Sequence, residues 1–128
     1  MKDQKKWKNK NFLEAFKNSI KGIKYVYQNE FNIKIELSMA ILAIVFGVIF
    51  DFSKIEFLIL IITIVLVLFA EFVNTAIEAT IDLFTEEFNE KAKIAKDIAS
   101  SAVLLVSLNS VIIGFIIYGS KILYLLKK

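Results

Sequence analysis

Long apolar runs alternate with short charged segments along the chain. Three runs carry no charge: Leu37 to Phe50, Phe57 to Ala70 and Ile98 to Tyr118. An α-helix rises about 1.5 Å per residue and the hydrocarbon core of a bilayer is about 30 Å thick. The last run is therefore long enough to span, and the other two need residues that flank them. The pattern predicts three membrane spans, at about residues 34–50, 55–83 and 96–119.

A fourth, shorter pattern precedes the spans, between about residues 7 and 29. Apolar residues recur there at helical spacing while lysines lie mainly on the other faces. A basic amphipathic helix of this kind is typical of segments that lie on an anionic membrane surface. A lysine-rich helix packed against the membrane bundle would show the same pattern. The sequence leaves both arrangements open.

Composition agrees with a membrane protein and excludes several kinds of chemistry. Hydrophobic residues make up 57% of the 128 residues, more than the interior of so small a soluble domain could bury. Cysteine and histidine are absent, so thiolate chemistry and a histidine base are excluded. The chain has no proline and four glycines, which favours helices. We predict a single all-α integral-membrane domain over residues 1–128, with a surface helix and three spans.

The distribution of lysines predicts the orientation of the spans. All sixteen basic residues are lysines: nine precede Leu37, one lies in the connection at 51–56, three lie in the segment at 84–97, and three follow Tyr118. Basic residues are enriched in the cytoplasmic loops of membrane proteins. We therefore expect the N-terminus and the loop at 84–95 to be cytoplasmic and the C-terminus to be outside, in the plasma membrane.

A polar stripe follows the apolar run of the second span without a break. Its members share one helical face because their spacings are i, i+3, i+4, i+7 and i+11; they are Glu71, Asn74, Thr75, Glu78 and Asp82. At about 1.5 Å per residue from Phe57, Glu71 lies roughly 21 Å along the helix and Glu78 about 10 Å further. The stripe is therefore predicted to cross the membrane interface.

A glutamate at the edge of the hydrocarbon needs an explanation, since a charged side chain costs about 2.5–3.5 kcal/mol at mid-membrane. One explanation is structural: Glu71 and Glu78 pair with lysines, with Lys21, Lys24 and Lys96 as the candidates. The other is functional, because a stripe of carboxylates and amides offers the oxygen ligands that Mg²⁺ takes together with substrate phosphates. A carboxylate nearer the lipid could then act as a base on a lipid hydroxyl. The sequence contains no P-loop, protein-kinase signature or nucleophile elbow, so spacing alone names no reaction.

The run from Glu71 to Asp82, EFVNTAIEATID, resembles the signature of the prokaryotic diacylglycerol kinase and undecaprenol kinase family, E-x-x-N-[ST]-[AS]-[IL]-E-x-x-[VIL]-D. Chain length, the three spans behind a surface helix, Glu30 with Asn32, and Ala95-Lys96-Asp97 extend the resemblance to nearly the whole chain. It implies a lipid kinase that transfers the γ-phosphoryl group of ATP to the primary hydroxyl of a membrane lipid.

The resemblance also implies roles for individual residues. Glu71 is similar to the family's general base, and Asn74 would orient the reacting groups. Glu30 and Glu78 would hold Mg²⁺ beside the ATP phosphates. The remaining implied contacts are with the nucleotide, through Asn18, Glu30, Glu78, Glu87, Lys96 and Asp97, and with the lipid, through Glu71, Asn74 and Ser100. The implied partners are ATP, a membrane lipid alcohol, the bilayer and two further copies in a homotrimer; no nucleic acid is expected.

Some positions depart from the family pattern and leave questions open. Asn18 stands where many members have an aromatic residue, Asn11 where one branch has arginine, and Glu87-Phe88-Asn89 replaces a usual Glu-Tyr-His. These departures put individual ATP contacts in question and leave the carboxylates intact. The segments at Glu30 and 92–97 are more similar to the undecaprenol kinase branch, so undecaprenol is the predicted substrate and diacylglycerol the alternative.

Two other classes of protein fit the same spans. A membrane interaction protein or inactive relative would turn over no ATP, and a small carboxylate-lined cation channel would conduct ions. The first span carries no polar stripe, which argues against the channel.

Overall fold

The computed structural model describes residues 8–127, which form four α-helices. Helix α1 covers Phe12–Asn29, α2 Phe31–Ile49, α3 Lys54–Asp82 and α4 Glu90–Leu126. Helices α3 and α4 form the main pair, and α2 packs on α3 over a smaller area. Within residues 8–127, three helices are long and apolar enough to cross a membrane: α2, α3 and α4.

The break between α1 and α2 is a single residue, Glu30. Its backbone is extended, with φ −100° and ψ 121°, and its N–H closes α1 by donating to the carbonyl of Val26 at 2.8 Å. Helix α2 then begins at Phe31 without a side-chain cap. Glu30 is therefore held at the start of the first long helix, and its side chain is half-buried.

The turn between α2 and α3 is tight and well capped. Asp51 has a positive φ of 52°, and the N–H of Phe52 returns to the carbonyl of Gly47 at 3.0 Å. A Cβ on Gly47 would come within 3.1 Å of the Phe57 ring, so this close approach favours glycine. Ser53 and Glu56 cap α3 reciprocally, each accepting a backbone N–H of the other. A connection of four residues joins the two helices, a length typical of antiparallel neighbours.

An aromatic cluster, which we call the aromatic end, closes the bundle at this turn. Its rings belong to Phe50, Phe52, Phe57 and Tyr118. Phe52 packs with Leu60 and Ile117 in the buried core, and Tyr118 donates to the backbone carbonyl of Ala43 at 2.5 Å. Lys121 forms an ion pair with Glu56 at 3.0 Å and donates to the carbonyl of Asp51 at 3.1 Å. These contacts tie α4 to the α2–α3 turn.

Most apolar side chains of the three long helices face outward. Phe69 is 64% exposed and Leu105 67% exposed, and many others are similar. The apolar stripe of α1 is exposed as well, and only Val26 of that helix is buried. Within residues 8–127, the other helices therefore do not cover the apolar stripe of α1. Surfaces of this kind require a non-aqueous environment or a protein partner.

The observed helices differ in length from the segments predicted from the sequence. Helix α1 begins at Phe12 after an Asn11 cap, instead of near residue 7, which lies outside the described residues. Helix α2 begins three residues earlier than predicted. Helix α4 begins at Glu90 and continues to Leu126, beyond the predicted 96–119, because Asn89 caps it and apolar residues follow Lys121.

Candidate active site

The polar stripe of α3 faces the start of α2 in the folded chain. Glu71 is 2% exposed and Thr75 6% exposed, so both are buried within a single subunit. The side chain of Asn32 lies against the Glu71 carboxylate, and Glu30 and Glu78 are close enough to act on it electrostatically. Glu71 is therefore the centre of a carboxylate cluster built by α2 and α3.

Asn74 connects the cluster along the helix. Its side-chain N–H donates to the Glu78 carboxylate at 3.2 Å, which is the i, i+4 spacing of one helical turn. Its amide oxygen is buried and receives no hydrogen bond from the described residues. A buried acceptor without a partner costs about 1–3 kcal/mol, so such groups are rare unless a ligand, ion or water completes them.

Glu36 is a member of the cluster that the sequence analysis did not select. It lies on α2, close enough to Glu71 for electrostatic interaction, and one of its carboxylate oxygens is buried without a hydrogen-bond partner among residues 8–127. The helical spacing from Asn32 to Glu36 is i, i+4, which places both on the face of α2 that meets α3. The spacing could be read from the sequence, but the sequence did not show which helix packs against this face of α2.

The two explanations for Glu71 and Glu78 can now be compared with the observed ion pairs. Over residues 8–127 the ion pairs join Lys93 to Asp97, Lys96 to Asp82, and Lys121 to Glu56. Lys96 lies near enough to Glu78 to interact with it electrostatically. Neither Glu71 nor Glu78 forms a direct ion pair with the described lysines, so pairing with lysine does not account for the burial of Glu71.

A cleft of about 600 Å³ lies beyond the cluster, between the end of α3 and the start of α4. Three of the predicted nucleotide contacts line it: Glu87, Lys96 and Asp97. Lys96 donates to Asp82 at 2.5 Å, and Lys93 pairs with Asp97 at 2.6 Å. The volume is within the range of small-molecule sites, about 300–1,000 Å³. Lys96 joins this cleft to the carboxylate cluster, because it also lies near Glu78.

Two predicted site residues lie outside both features. Asn18 is exposed on α1, where it donates to Asn9 at 2.6 Å and accepts from Lys21 at 3.4 Å. Ser100 is exposed on α4, one turn after Lys96. The structure therefore brings together Glu30, Glu71, Asn74 and Glu78, and separately Glu87, Lys96 and Asp97. It gives no contact between these groups and Asn18 or Ser100.

The donor set suits Mg²⁺ only as a partial site. No three acidic side chains in residues 8–127 converge closely enough to hold a metal ion by themselves. Mg²⁺ commonly uses one or two carboxylates and completes its shell with water and substrate phosphates. The amide oxygen of Asn74 has no hydrogen-bond partner within residues 8–127, while its amide nitrogen donates to Glu78, and this observation fits the binding of an ion or ligand at this place.

Comparison with known proteins identifies the family. Residues 17–118 match the profile of the prokaryotic diacylglycerol kinase family. The chain is 33% identical to the undecaprenol kinase of Bacillus subtilis, over 87% of this chain and 90% of the relative. It is also 33% identical to the diacylglycerol kinase of Escherichia coli K12, over 84% of this chain and 88% of the relative.

A third relative, the diacylglycerol kinase of Synechocystis, is 33% identical over 81% of this chain, and the match spans 60% of that longer protein. The family profile covers most of the chain, including the α2 start, the α3 stripe and the start of α4. Three helices able to cross a membrane agree with a multi-pass membrane protein. The chain therefore belongs to the prokaryotic diacylglycerol kinase family and is a membrane lipid kinase.

Proposed function

We propose that the chain transfers the γ-phosphoryl group of ATP to the primary hydroxyl of a membrane lipid alcohol, in a reaction that requires Mg²⁺. The observation that carries this proposal is the burial of Glu71 at the centre of a carboxylate cluster, beside a cleft that contains two lysines. Phosphoryl transfer depends mainly on positioning and on neutralisation of charge. This arrangement supports a base at Glu71 and a nucleotide in the neighbouring cleft.

Glu71 is the proposed base. It is the stripe residue closest to the uncharged run that ends at Ala70, so among the stripe carboxylates it lies nearest the hydrocarbon. It receives the proton of the lipid hydroxyl as that oxygen attacks the γ-phosphorus, while the bond between the γ-phosphorus and the β–γ bridging oxygen breaks and ADP leaves. Asn74 positions the reacting groups through its unpartnered amide oxygen. Ser100 is a proposed contact for the lipid.

The cleft charges support a requirement for a divalent cation. Its acidic lining residues are Asp82, Glu86, Glu87 and Asp97, against two lysines that are already paired with Asp82 and Asp97. A nucleoside triphosphate is a polyanion, so the acidic residues that line the cleft would repel it. Mg²⁺ bound by Glu30 and Glu78 together with the phosphates would reduce that repulsion. The other nucleotide contacts are proposed for Asn18, Glu87, Lys96 and Asp97.

Undecaprenol is the proposed lipid and diacylglycerol the alternative. Relatives with both names match at the same identity, 33%, so these matches do not separate the two. The proposal for undecaprenol rests on the sequence at Glu30-x-Asn32 and at 92–97.

The proposed setting is the plasma membrane, with α1 on the cytoplasmic surface. Support comes from the exposed apolar stripe of α1, which is flanked by Lys17, Lys21 and Lys24. The N-terminus and the α3–α4 loop are proposed to be cytoplasmic and the C-terminus outside. A homotrimer is proposed as the assembly, supported by the small residues from Ala99 to Ala102 on α4, which would allow close contact between helices.

The decisive test uses purified protein in mixed micelles with labelled ATP, Mg²⁺ and either undecaprenol or diacylglycerol. We expect label in one of the two lipids, with no transfer in the presence of a chelator. A folded sample that binds ATP and labels neither lipid would overturn the proposal and favour an inactive relative or an interaction protein.

A further inference from the structure

Asp82 is the member of the α3 stripe to which the proposed reaction gives no role in binding or catalysis. It is the last residue of α3, one helical turn after Glu78, and it lines the cleft. Its carboxylate accepts a hydrogen bond from Lys96 at 2.5 Å, across the gap between α3 and α4. The ion pair therefore joins the two helices at the place where the nucleotide is proposed to bind.

Lys96 has a second carboxylate within its reach. Glu78 and Asp82 are four residues apart on one helix, so their Cβ atoms lie about 5–6 Å apart. Lys96 interacts electrostatically with both, and within residues 8–127 its ion pair is with Asp82 and not with Glu78. The flexible four-carbon stem of a lysine can turn its ammonium group toward either carboxylate. The pair with Asp82 therefore keeps the ammonium group away from Glu78.

The Glu78 carboxylate stays open to a cation as a result. One of its oxygens accepts from the side chain of Asn74 at 3.2 Å, and no lysine within residues 8–127 forms an ion pair with it. An ammonium group on Glu78 would compete with Mg²⁺, because both cations bind carboxylate oxygens. Asp82 removes that competitor by holding Lys96.

The acidic residue next to Lys96 on α4 is already engaged. Asp97 pairs with Lys93 at 2.6 Å, one turn earlier on the same helix. Adjacent residues of a helix also do not face each other, so Asp97 is poorly placed to hold Lys96. Among the described residues, Asp82 is therefore the carboxylate that fixes the position of the Lys96 ammonium group.

An ordinary surface ion pair would show the same distance. The side chain of Asp82 is 62% exposed and that of Lys96 37% exposed, and exposed pairs contribute little to folding stability. Stability is thus a weak explanation for this pair. Its place in the cleft, and the presence of a second carboxylate that Lys96 does not bond, favour a role in binding.

We infer that Asp82 is a positioning residue, which holds the Lys96 ammonium group beside Glu78 and not on it. The Glu78 carboxylate then stays available to the divalent cation, and the remaining N–H groups of Lys96 stay free to bond the phosphates. This inference rests on the proposed function, because it concerns the same nucleotide site. It gives Asp82 no bond to either reactant.

Charge alone predicts the opposite result for the loss of Asp82. Removal of any carboxylate from the cleft should favour a negatively charged nucleotide by electrostatics. Glu86 lines the same cleft and forms no ion pair with the described lysines, so Glu86→Gln measures that electrostatic effect. Asp82→Asn, the matched change of a carboxylate to an amide, should instead weaken binding because it releases Lys96.

The first measurement needs no turnover. Calorimetry of a non-hydrolysable ATP analogue, at several Mg²⁺ concentrations, gives the affinity of each variant in mixed micelles. We expect Asp82→Ala to weaken binding by about tenfold, the order of the rotamer freedom that a lysine loses when it is held in place. It should also raise the Mg²⁺ concentration for half-maximal binding. Asp82→Asn should lie between Asp82→Ala and wild type, and Glu86→Gln should bind at least as tightly as wild type.

A double-mutant cycle tests whether Asp82 acts through Lys96. Lys96→Gln removes the ammonium group, so no competitor for Glu78 remains and no lysine needs to be held. In that background Asp82→Ala should cause no further loss of affinity and no shift in Mg²⁺ dependence. The two losses would add if Asp82 acted on the nucleotide, the cation or the fold independently of Lys96.

Three results would overturn the inference: analogue binding in Asp82→Ala as tight as in wild type, an unchanged Mg²⁺ dependence, or additive losses in the cycle. If Asp82→Ala does not fold, the comparison of Asp82→Asn with Glu86→Gln decides the same question, and equal effects of these two would contradict the inference. Failure of the proposed function is distinguishable, because the wild type would then bind the analogue with Mg²⁺ and show the Asp82 effect but phosphorylate no lipid.

Discussion

The two ends of the bundle treat their buried polar groups in opposite ways. At the aromatic end, Tyr118 bonds to Ala43, Lys121 pairs with Glu56, and Ser53 and Glu56 cap each other. We call the cluster around Glu71 the carboxylate end. There, one buried oxygen each of Glu36, Asn74 and Thr75 has no hydrogen-bond partner among the described residues. The same three long helices thus form one end whose buried polar groups are hydrogen-bonded and another end where some of them are not.

The difference indicates a division of labour between stability and function. A satisfied buried polar group holds helices in register, whereas an unsatisfied one costs stability and is retained where a ligand completes it. On this interpretation the aromatic end fixes the position of α4 relative to the α2–α3 turn. The carboxylate end then presents groups that bind substrate.

The largest expected effect is at Glu71. Glu71→Gln keeps the shape of the side chain but cannot accept the hydroxyl proton, and loss of a general base typically costs about 10²–10⁴-fold in rate. Lipid phosphorylation should collapse while ATP affinity and assembly remain near wild type, the pattern of an interaction made only in the transition state. Single-turnover kinetics and ATP binding, with Glu90→Gln as the control, make the measurement. A variant that keeps more than about a third of wild-type turnover would remove Glu71 from the mechanism.

The next largest effect is expected at the proposed metal ligands. Glu30→Gln and Glu78→Gln each remove one formal charge from the shell of the cation, and should weaken apparent Mg²⁺ and ATP affinities by about tenfold or more. Titration of activity with Mg²⁺ at several ATP concentrations measures both affinities. Unchanged affinities in both variants would make the metal assignment wrong.

Within α3, one substitution is expected to increase the stability of the protein. Thr63 and Thr75 are both buried, but the Thr63 hydroxyl donates to the Ile59 carbonyl and the Thr75 hydroxyl has no partner among residues 8–127. Thr75→Val should therefore raise the free energy of unfolding by about 1 kcal/mol, and Thr63→Val should not. Denaturant unfolding in mixed micelles compares the two. Equal effects would contradict the proposed contrast between the ends.

The smallest effect is expected at the aromatic end. Tyr118→Phe removes the hydrogen bond to Ala43 and keeps the ring contacts, so the free energy of unfolding should fall by about 0.6 kcal/mol. Turnover per folded molecule should be unchanged. The exposed Tyr25 gives the control, Tyr25→Phe. A selective loss of turnover in Tyr118→Phe would mean that this end takes part in catalysis.

Much of this arrangement was predictable from local patterns. Helical spacing placed the stripe from Glu71 to Asp82 on one face of a helix, and uncharged runs identified the three long helices. The order of the stripe residues along the helix axis was predictable as well, because the rise per residue is nearly constant in a helix.

What sequence reasoning missed depends on contacts between distant residues. Nothing in the pattern of α2 indicates that Asn32 and Glu36 meet Glu71, since a helical face does not specify its neighbour. The partners of Lys96 were open for the same reason. The sequence also did not indicate how far α4 continues beyond the predicted span of 96–119, where the Asn89 cap and the apolar residues after Lys121 extend the helix.

The length of α3 has a further consequence, for the dependence of this protein on its bilayer. The helix runs without interruption from Lys54 to Asp82, and its 29 residues measure about 43 Å, more than the roughly 30 Å of hydrocarbon. Because the aromatic end and Glu71 are fixed on one rigid rod, a thicker or thinner membrane changes the tilt of the rod and the depth of the carboxylate together. Hydrophobic mismatch between α3 and the bilayer therefore changes the depth in the membrane at which a lipid hydroxyl can reach Glu71.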